Sequence, residues 1–253
     1  MDGAMGSLLR SRGLPAGIPV AAWNLEAPEA VLGVHRDYVE AGAGILLTNT
    51  FGASRDRLEA IGAGDRVESI NRAGAELARR AASSGALVAG DMGPARAGAA
   101  EQAAALLSAG VDLLFLETFL DPAELNEAVK ACRAVRREVP LAASMAFTVD
   151  PDEAEVTARV AALEDLGVDL IGVNCMPPDA MEPVVARVAA ATSLPVVARP
   201  SAGIPTGDPP VWPLDDEAMA AGGRALARSG ARIVGGCCGT TPLFIERLGR
   251  SLS

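Results

Sequence analysis

Four cysteines stand in the chain, and three of them fall where β-strands should end. Gly172-Val173-Asn174-Cys175 and Ile233-Val234-Gly235-Gly236-Cys237-Cys238-Gly239-Thr240-Thr241-Pro242 each set cysteine directly after a short β-branched run. Three thiols from two strand ends can fill three corners of a tetrahedron around zinc and leave the fourth open, the pattern of catalytic zinc sites, since structural sites take four protein ligands. Neighbouring strand residues point to opposite faces, so Cys237 and Cys238 need a backbone that turns. Gly235, Gly236 and Gly239 supply that freedom. A redox disulfide is the competing chemistry, but it lacks the Cys-x-x-Cys spacing. Cys132 lies mid-helix in Glu127-Ala128-Val129-Lys130-Ala131-Cys132 and reads as a small buried apolar side chain.

The elements that must position these thiols recur as a β-rich apolar run followed by an amphipathic helical run, with a period of about thirty residues, the signature of successive βα units around a parallel sheet. Strands are expected at 44–49, 86–91, 111–117, 140–146, 168–174, 194–199 and 231–236. Helices are expected at 28–41, 65–84, 98–109, 122–137, 152–166, 179–191, 215–229 and 241–250, each opening near Pro, Asp, Ser or Thr as helix starts prefer. Eight helices against seven strands leave the first strand missing. Either that strand lies upstream of Met1-Asp2-Gly3-Ala4-Met5-Gly6, or the barrel closes with a minimal one. The expectation is a (β/α)8 TIM barrel with a truncated first strand, a single domain over residues 1–253, with the Pro- and Gly-rich stretch 200–214 as a long loop on the catalytic face.

Composition narrows the partners. A length of 253 residues suits one such barrel, which runs to about 250. Half the residues are hydrophobic but only 3% are aromatic, so the core must rest on Ala, Val, Leu and Ile. A formal net charge of −10 argues against nucleic acid or an anionic membrane surface as the main partner and favours a small molecule or a protein. No apolar run approaches the roughly 20 residues that span a bilayer, and no basic-then-apolar leader opens the chain, so a cytoplasmic location is expected. In a reducing compartment, clustered cysteines point to metal or catalysis rather than to a disulfide framework.

In this fold, strand C-termini carry the chemistry. Asp2, Asn49, Asp91, Glu117, Ser144, Asn174, Cys175, Arg199, Cys237 and Cys238 fall there. The two cysteine-bearing strands are not neighbours, but a barrel mouth brings such ends within reach of one ion. Glu117 closes the apolar run Val111–Leu116, where a buried carboxylate needs a cation; a substrate ammonium would serve, and a helix-capping role is the plain alternative. Asp2-Gly3-Ala4 offers a carboxylate beside open backbone amides, suited to the two ends of an amino acid. His35, the only histidine, sits within the first long helix and is expected on the surface. Gly-x-Gly-x-x-Gly and Walker-type loops are absent, so nucleotide cofactors have no motif.

The ordered set Asp2-Gly3-Ala4-Met5-Gly6, Thr48-Asn49-Thr50-Phe51, Gly90-Asp91-Met92-Gly93-Pro94, Leu116-Glu117-Thr118, Gly172-Val173-Asn174-Cys175, Pro200-Ser201-Ala202-Gly203-Ile204-Pro205 and Gly235–Pro242 resembles the homocysteine S-methyltransferase family. The resemblance runs from residue 2 to 242 and implies a zinc-bearing barrel that methylates homocysteine to methionine. It implies Cys175, Cys237 and Cys238 as zinc ligands; Asp2, Gly3 and Ala4 at the amino-acid end of the substrate; Glu117 on its ammonium; and Asn174 behind the metal ligands. Asn49 and Ser144 join the substrate-binding candidates. The chain departs from the family in its leading strand, in Ser201 where Asn is usual, and in a compact loop after Pro94. The stretch 90–94 is most similar to corrinoid-dependent members, which implies a methyl-corrinoid (methylcobalamin) donor; S-adenosylmethionine, S-methylmethionine and a non-catalytic zinc- or homocysteine-binding barrel are the alternatives. No Asp-x-His-x-x-Gly corrinoid motif is present, so a corrinoid would come on a separate protein or diffuse in.

Overall fold

The computed structural model describes residues 1–82, 85–207 and 210–252. Among them seven parallel strands, β1 (Ile45–Leu47), β2 (Leu87–Met92), β3 (Leu113–Phe119), β4 (Leu141–Met145), β5 (Leu170–Asn174), β6 (Val196–Arg199) and β7 (Ile233–Val234), pair in sequence order into one curled sheet. The eight expected helices are present as Pro28–Glu40, Val67–Ala81, Ala99–Ser108, Pro122–Val135, Glu153–Asp165, Pro178–Ala191, Asp216–Arg228 and Pro242–Leu252. The second was expected to run to residue 84, and positions 83 and 84 lie outside the described residues, as do 208 and 209 of the expected loop 200–214. Short helices at Gly6–Ser11, Trp23–Glu26 and Arg55–Glu59 were not expected. No described helix is long and apolar enough to cross a membrane.

The architecture is the expected (β/α)8 barrel, and Met1 and Asp2 lie between the last and first of the seven strands. The Met1 ammonium donates to the Val234 carbonyl at 2.8 Å, and the Gly236 N–H donates to the Asp2 carbonyl at 2.8 Å. On the other side the Asp2 N–H donates to the Ile45 carbonyl at 2.9 Å. Met1 and Asp2 thus pair with both edges of the sheet, β7 and β1, and leave no open edge to aggregate. Three helices following strands are started by their own aspartates, Asp121, Asp152 and Asp215, each accepting a backbone N–H of the first turn.

Strand pleating sorts side chains between the helix-covered outside and the barrel interior. Leu47, Ala89, Leu113, Phe115, Ala142 and Val197 form a separate inner core with Met1, Ile45, Leu170 and Ile233. Counting on in steps of two puts Asp91, Glu117, Ser144, Asn174 and Arg199 on the same inward faces, one layer nearer the C-terminal mouth. All five are buried. A greasy plug therefore ends in a polar floor. The other face of the sheet packs the main core, where Cys132 is fully buried as expected, its thiol pushed up to about 12 by burial.

His35 is a correction. It was expected at the surface, but it is fully buried on the helical stripe of Val31, Leu32 and Tyr38. Its spacing of four, three and three residues from these core positions places it on the covered face. Neither ring nitrogen has a hydrogen-bond partner among the described residues, and burial lowers its pKa to about 4.

Candidate metal centre

The Sγ atoms of Cys175, Cys237 and Cys238 lie within 4.8 Å of one another, with Cys237 and Cys238 3.9 Å apart. Two sulfurs bonded to one tetrahedral zinc at about 2.3 Å sit roughly 3.8 Å apart, so three soft donors at this spacing fit that ion. Cys237 is buried, Cys175 half-buried and Cys238 exposed, so the cluster opens at the mouth. Hydrogen bonding with Cys237 and then burial push Cys175 up to about 12 against an opposing hydrogen bond with Cys238, and hydrogen bonding with Cys175 and then burial push Cys238 up to about 11 against an opposing one with Cys237. A cation is what would release those protons.

The backbone around the cysteines is built for the cluster. The Cys175 N–H reaches the Arg199 carbonyl at 3.1 Å, the Cys237 N–H the Pro200 carbonyl at 2.8 Å, and the Ala202 N–H the Cys238 carbonyl at 2.8 Å. The end of β6 is thus the splint between both cysteine turns. Gly236 packs against Thr240, whose hydroxyl donates to the Cys237 carbonyl at 2.7 Å and accepts the Ala4 N–H at 3.1 Å. A Cβ on Gly236 would lie 2.2 Å from that hydroxyl oxygen. Gly239 is left-handed (φ 77°) and lies against the Trp212 ring.

Two non-glycine residues adopt left-handed backbone, Thr118 (φ 66°) and Cys175 (φ 64°). Such strain collects where surrounding structure holds it for function. Asn174 holds both. Its Oδ1 accepts the Thr118 N–H at 2.9 Å and the Ser144 hydroxyl at 2.7 Å, its Nδ2 donates to Thr118 Oγ1 at 2.7 Å, and it lies 4.0 Å from the Cys237 sulfur. Thr118 lies in a register shift between Leu116 and Phe119 that turns Glu117 at the mouth.

Glu117 was expected to need a cation, and the one facing it is Arg199, whose Nη1 donates to Glu117 Oε2. Arg199 also faces Asp2 Oδ1 at 3.8 Å and lies over the Phe115 ring. Burial opposes its charge, but Glu117 and Asp2 outweigh that and hold its pKa above the ordinary value. Asp2 Oδ2 accepts the Leu47 N–H at 2.7 Å, and burial raises its carboxyl to about 6. Asp91 sits in the same well, held far above the carboxylate range by burial first and by Glu117 second. Gly3 admits no side chain, since a Cβ would meet Thr240 Oγ1 at 2.5 Å and the Tyr38 hydroxyl at 2.8 Å.

Asp2, Glu117, Asn174 and the three cysteines therefore gather at one mouth. Ser144 joins them through Asn174. Asn49 is engaged elsewhere: its Nδ2 donates to the Val20 carbonyl and to Asn24 Oδ1, both at 2.9 Å, tying down the segment before the first long helix. Arg199 and Asp91 carried no assigned role in the sequence, although both stood at strand ends; the pairing partner of a strand-end charge is not written locally.

The profile described as homocysteine S-methyltransferase matches residues 1–252. The methionine synthase of Mycobacterium tuberculosis is 30% identical across 100% of this chain, and the chain spans 24% of that protein's length. Betaine–homocysteine S-methyltransferase 1 of Danio rerio is 29% identical, over 100% of this chain and 72% of its own. The crystal structure of the homocysteine methyltransferase MmuM from Escherichia coli in its metallated form superposes with a TM-score of 0.81 at 26% identity, covering 99% of this chain and 95% of that one. With the fold, the thiol cluster and a profile match from end to end in agreement, the chain belongs to the homocysteine S-methyltransferase family.

Proposed function

We propose that the chain, acting as one domain, transfers a methyl group to the thiol of homocysteine and yields methionine at a zinc held by Cys175, Cys237 and Cys238. The convergence of three thiols within 4.8 Å at the open end of the barrel carries this reading. When bound, zinc supplies the positive charge that lets a thiol stay deprotonated at neutral pH. The chain's residues do the rest. Asp2 and Glu117 offer carboxylates to the substrate ammonium, with Gly3 and Ala4 beside them at the amino-acid end. Asn174, braced by Ser144 and Thr118, fixes the turn that carries Cys175. A new C–S bond forms from the homocysteine sulfur to the methyl carbon as the donor's bond to that carbon breaks, its electron pair leaving with the donor; the thiol proton goes to solvent.

The donor we favour is a methyl-corrinoid brought by a separate protein, on the likeness of 90–94 and the similarity to a methionine synthase across 24% of that protein's length. Cysteines clustered as metal ligands suit a reducing, cytoplasmic setting. Zinc-loaded protein assayed with homocysteine and, in turn, methylcobalamin, S-adenosylmethionine and S-methylmethionine should form methionine with one donor and stop on chelation. Folded, reduced protein that takes up no zinc would overturn the reading; homocysteine binding without turnover with every donor would make the chain a capture protein instead.

A further inference from the structure

A β-branched residue seldom adopts left-handed backbone, yet Thr118 does at φ 66°, in the register shift between Leu116 and Phe119. It is half-buried and follows Glu117 directly. Any residue here could supply the N–H that Asn174 Oδ1 accepts at 2.9 Å, but the 2.7 Å bond from Asn174 Nδ2 needs an acceptor on a short side chain, which the Thr118 hydroxyl supplies. Asn174 is fully buried, and the Ser144 hydroxyl donating to its Oδ1 fixes which way the amide faces. A second path joins the same two places. Glu117 pairs with the Arg199 guanidinium, the β5–β6 register sets Asn174 beside Arg199, and the Arg199 carbonyl accepts the Cys175 N–H at 3.1 Å. Glu117, Thr118, Asn174, Cys175 and Arg199 thus form a closed ring of contacts, and it contains both of the non-glycine left-handed residues among the described ones.

We infer that Thr118 is a positioning residue whose clamp on Asn174 couples the two halves of the site, so that zinc at the cysteines favours an amino acid at Glu117 and the amino acid favours zinc. The inference rests on the proposed homocysteine reading and adds to it an energetic link between metal and acceptor. Relaxing Thr118 withdraws both of its bonds to Asn174, and Asn174 leads into the Cys175 turn. The clamp therefore has a closed and a released state, and a ligand shifts that equilibrium by its differential affinity for the two. Zinc needs the Cys175 sulfur beside Cys237 and Cys238. The acceptor needs Glu117 where a left-handed Thr118 leaves it. Both select the closed clamp, and such coupling is reciprocal by thermodynamic necessity.

Calorimetry with L-norvaline tests this on reduced protein, zinc-loaded and zinc-free. That analogue carries a methyl group in place of the homocysteine thiol, so it cannot bond the ion. Wild type should bind L-norvaline about fivefold or more tightly with zinc than without, and L-norvaline should tighten zinc, read by chelator competition, by the same factor. Thr118→Gly takes left-handed backbone without strain but has no hydroxyl, so it should fold and lose most of that factor. Thr118→Ser, which restores the hydroxyl, should keep it. A through-space pull of the ion's charge on the ammonium would persist in Thr118→Gly, which separates it from the clamp. A wild type that binds L-norvaline equally in both states, or not at all, would overturn the proposal. So would a Thr118→Gly protein that keeps the wild-type factor or a Thr118→Ser protein that loses it. Failure of the methyl-transfer reading shows separately, as no methionine from homocysteine with any donor, on which these binding measurements do not depend.

Discussion

The Asn174 side chain grips Thr118 at two points, its N–H at 2.9 Å and its hydroxyl at 2.7 Å, across a strand that lies between them. Both Thr118 and the residue after Asn174, Cys175, are held left-handed. A single amide thus stabilises one unfavourable backbone conformation, next to a buried acid, and anchors the residue that leads into the other, at a thiol. Asn174→Ala should cost about 1–3 kcal/mol, since it leaves buried donors unmatched. It should weaken zinc binding as Cys175 relaxes; thermal melts and competition with a chromophoric chelator measure the two effects.

Cys237→Ser and Cys238→Ser should lose zinc and turnover while keeping the fold. Cys238 is exposed, and Cys237, though buried, lies outside the packed apolar clusters of the core. Metal analysis should show substoichiometric zinc, and each variant should melt where metal-free wild type melts. Unfolding of the Cys238 variant would contradict that placement.

Zinc affinity should fall with pH. Cys175 is held at about 12 and Cys238 at about 11 in the metal-free cluster, so the metal must expel protons to bind. Lower pH strengthens that competition, by up to about tenfold per pH unit for each proton displaced. Chelator competition at pH 6.5 and 8.5 should show the weaker binding at the acid value.

His35 should make the protein acid-labile. Its pKa is about 6.5 when unfolded and about 4 when folded, so the unfolded state binds more protons between those values. Its contribution is whole above pH 6.5 and is lost as pH falls toward 4, an effect on the order of 3 kcal/mol. His35→Leu should flatten this limb of the stability curve relative to wild type in urea melts taken from pH 7 to 4; parallel curves would refute it.

Gly236→Ala should disrupt the metal turn. The added methyl would press on Thr240, which hydrogen-bonds both Cys237 and Ala4. A loss of about 1–3 kcal/mol with weakened zinc uptake is expected, read by melting and metal content.

What the chain reveals locally, the sequence by itself determined. The alternation of strands and helices, the cysteines after β5 and β7, the glycines that free their turns and the acid that ends an apolar run are all matters of near neighbours, because pleat, helix period and turn chemistry act over a few residues. Only the tertiary structure decided which groups meet. Arg199 finds Glu117 82 positions away, Asn174 finds Thr118 56 away, and Met1 with Asp2 replaces a strand by pairing with both sheet edges. His35 and Asn49 likewise take their surroundings from the elements packed over them. Closing a barrel brings strand ends together by curvature and register, and no local pattern encodes which charges then share one buried well.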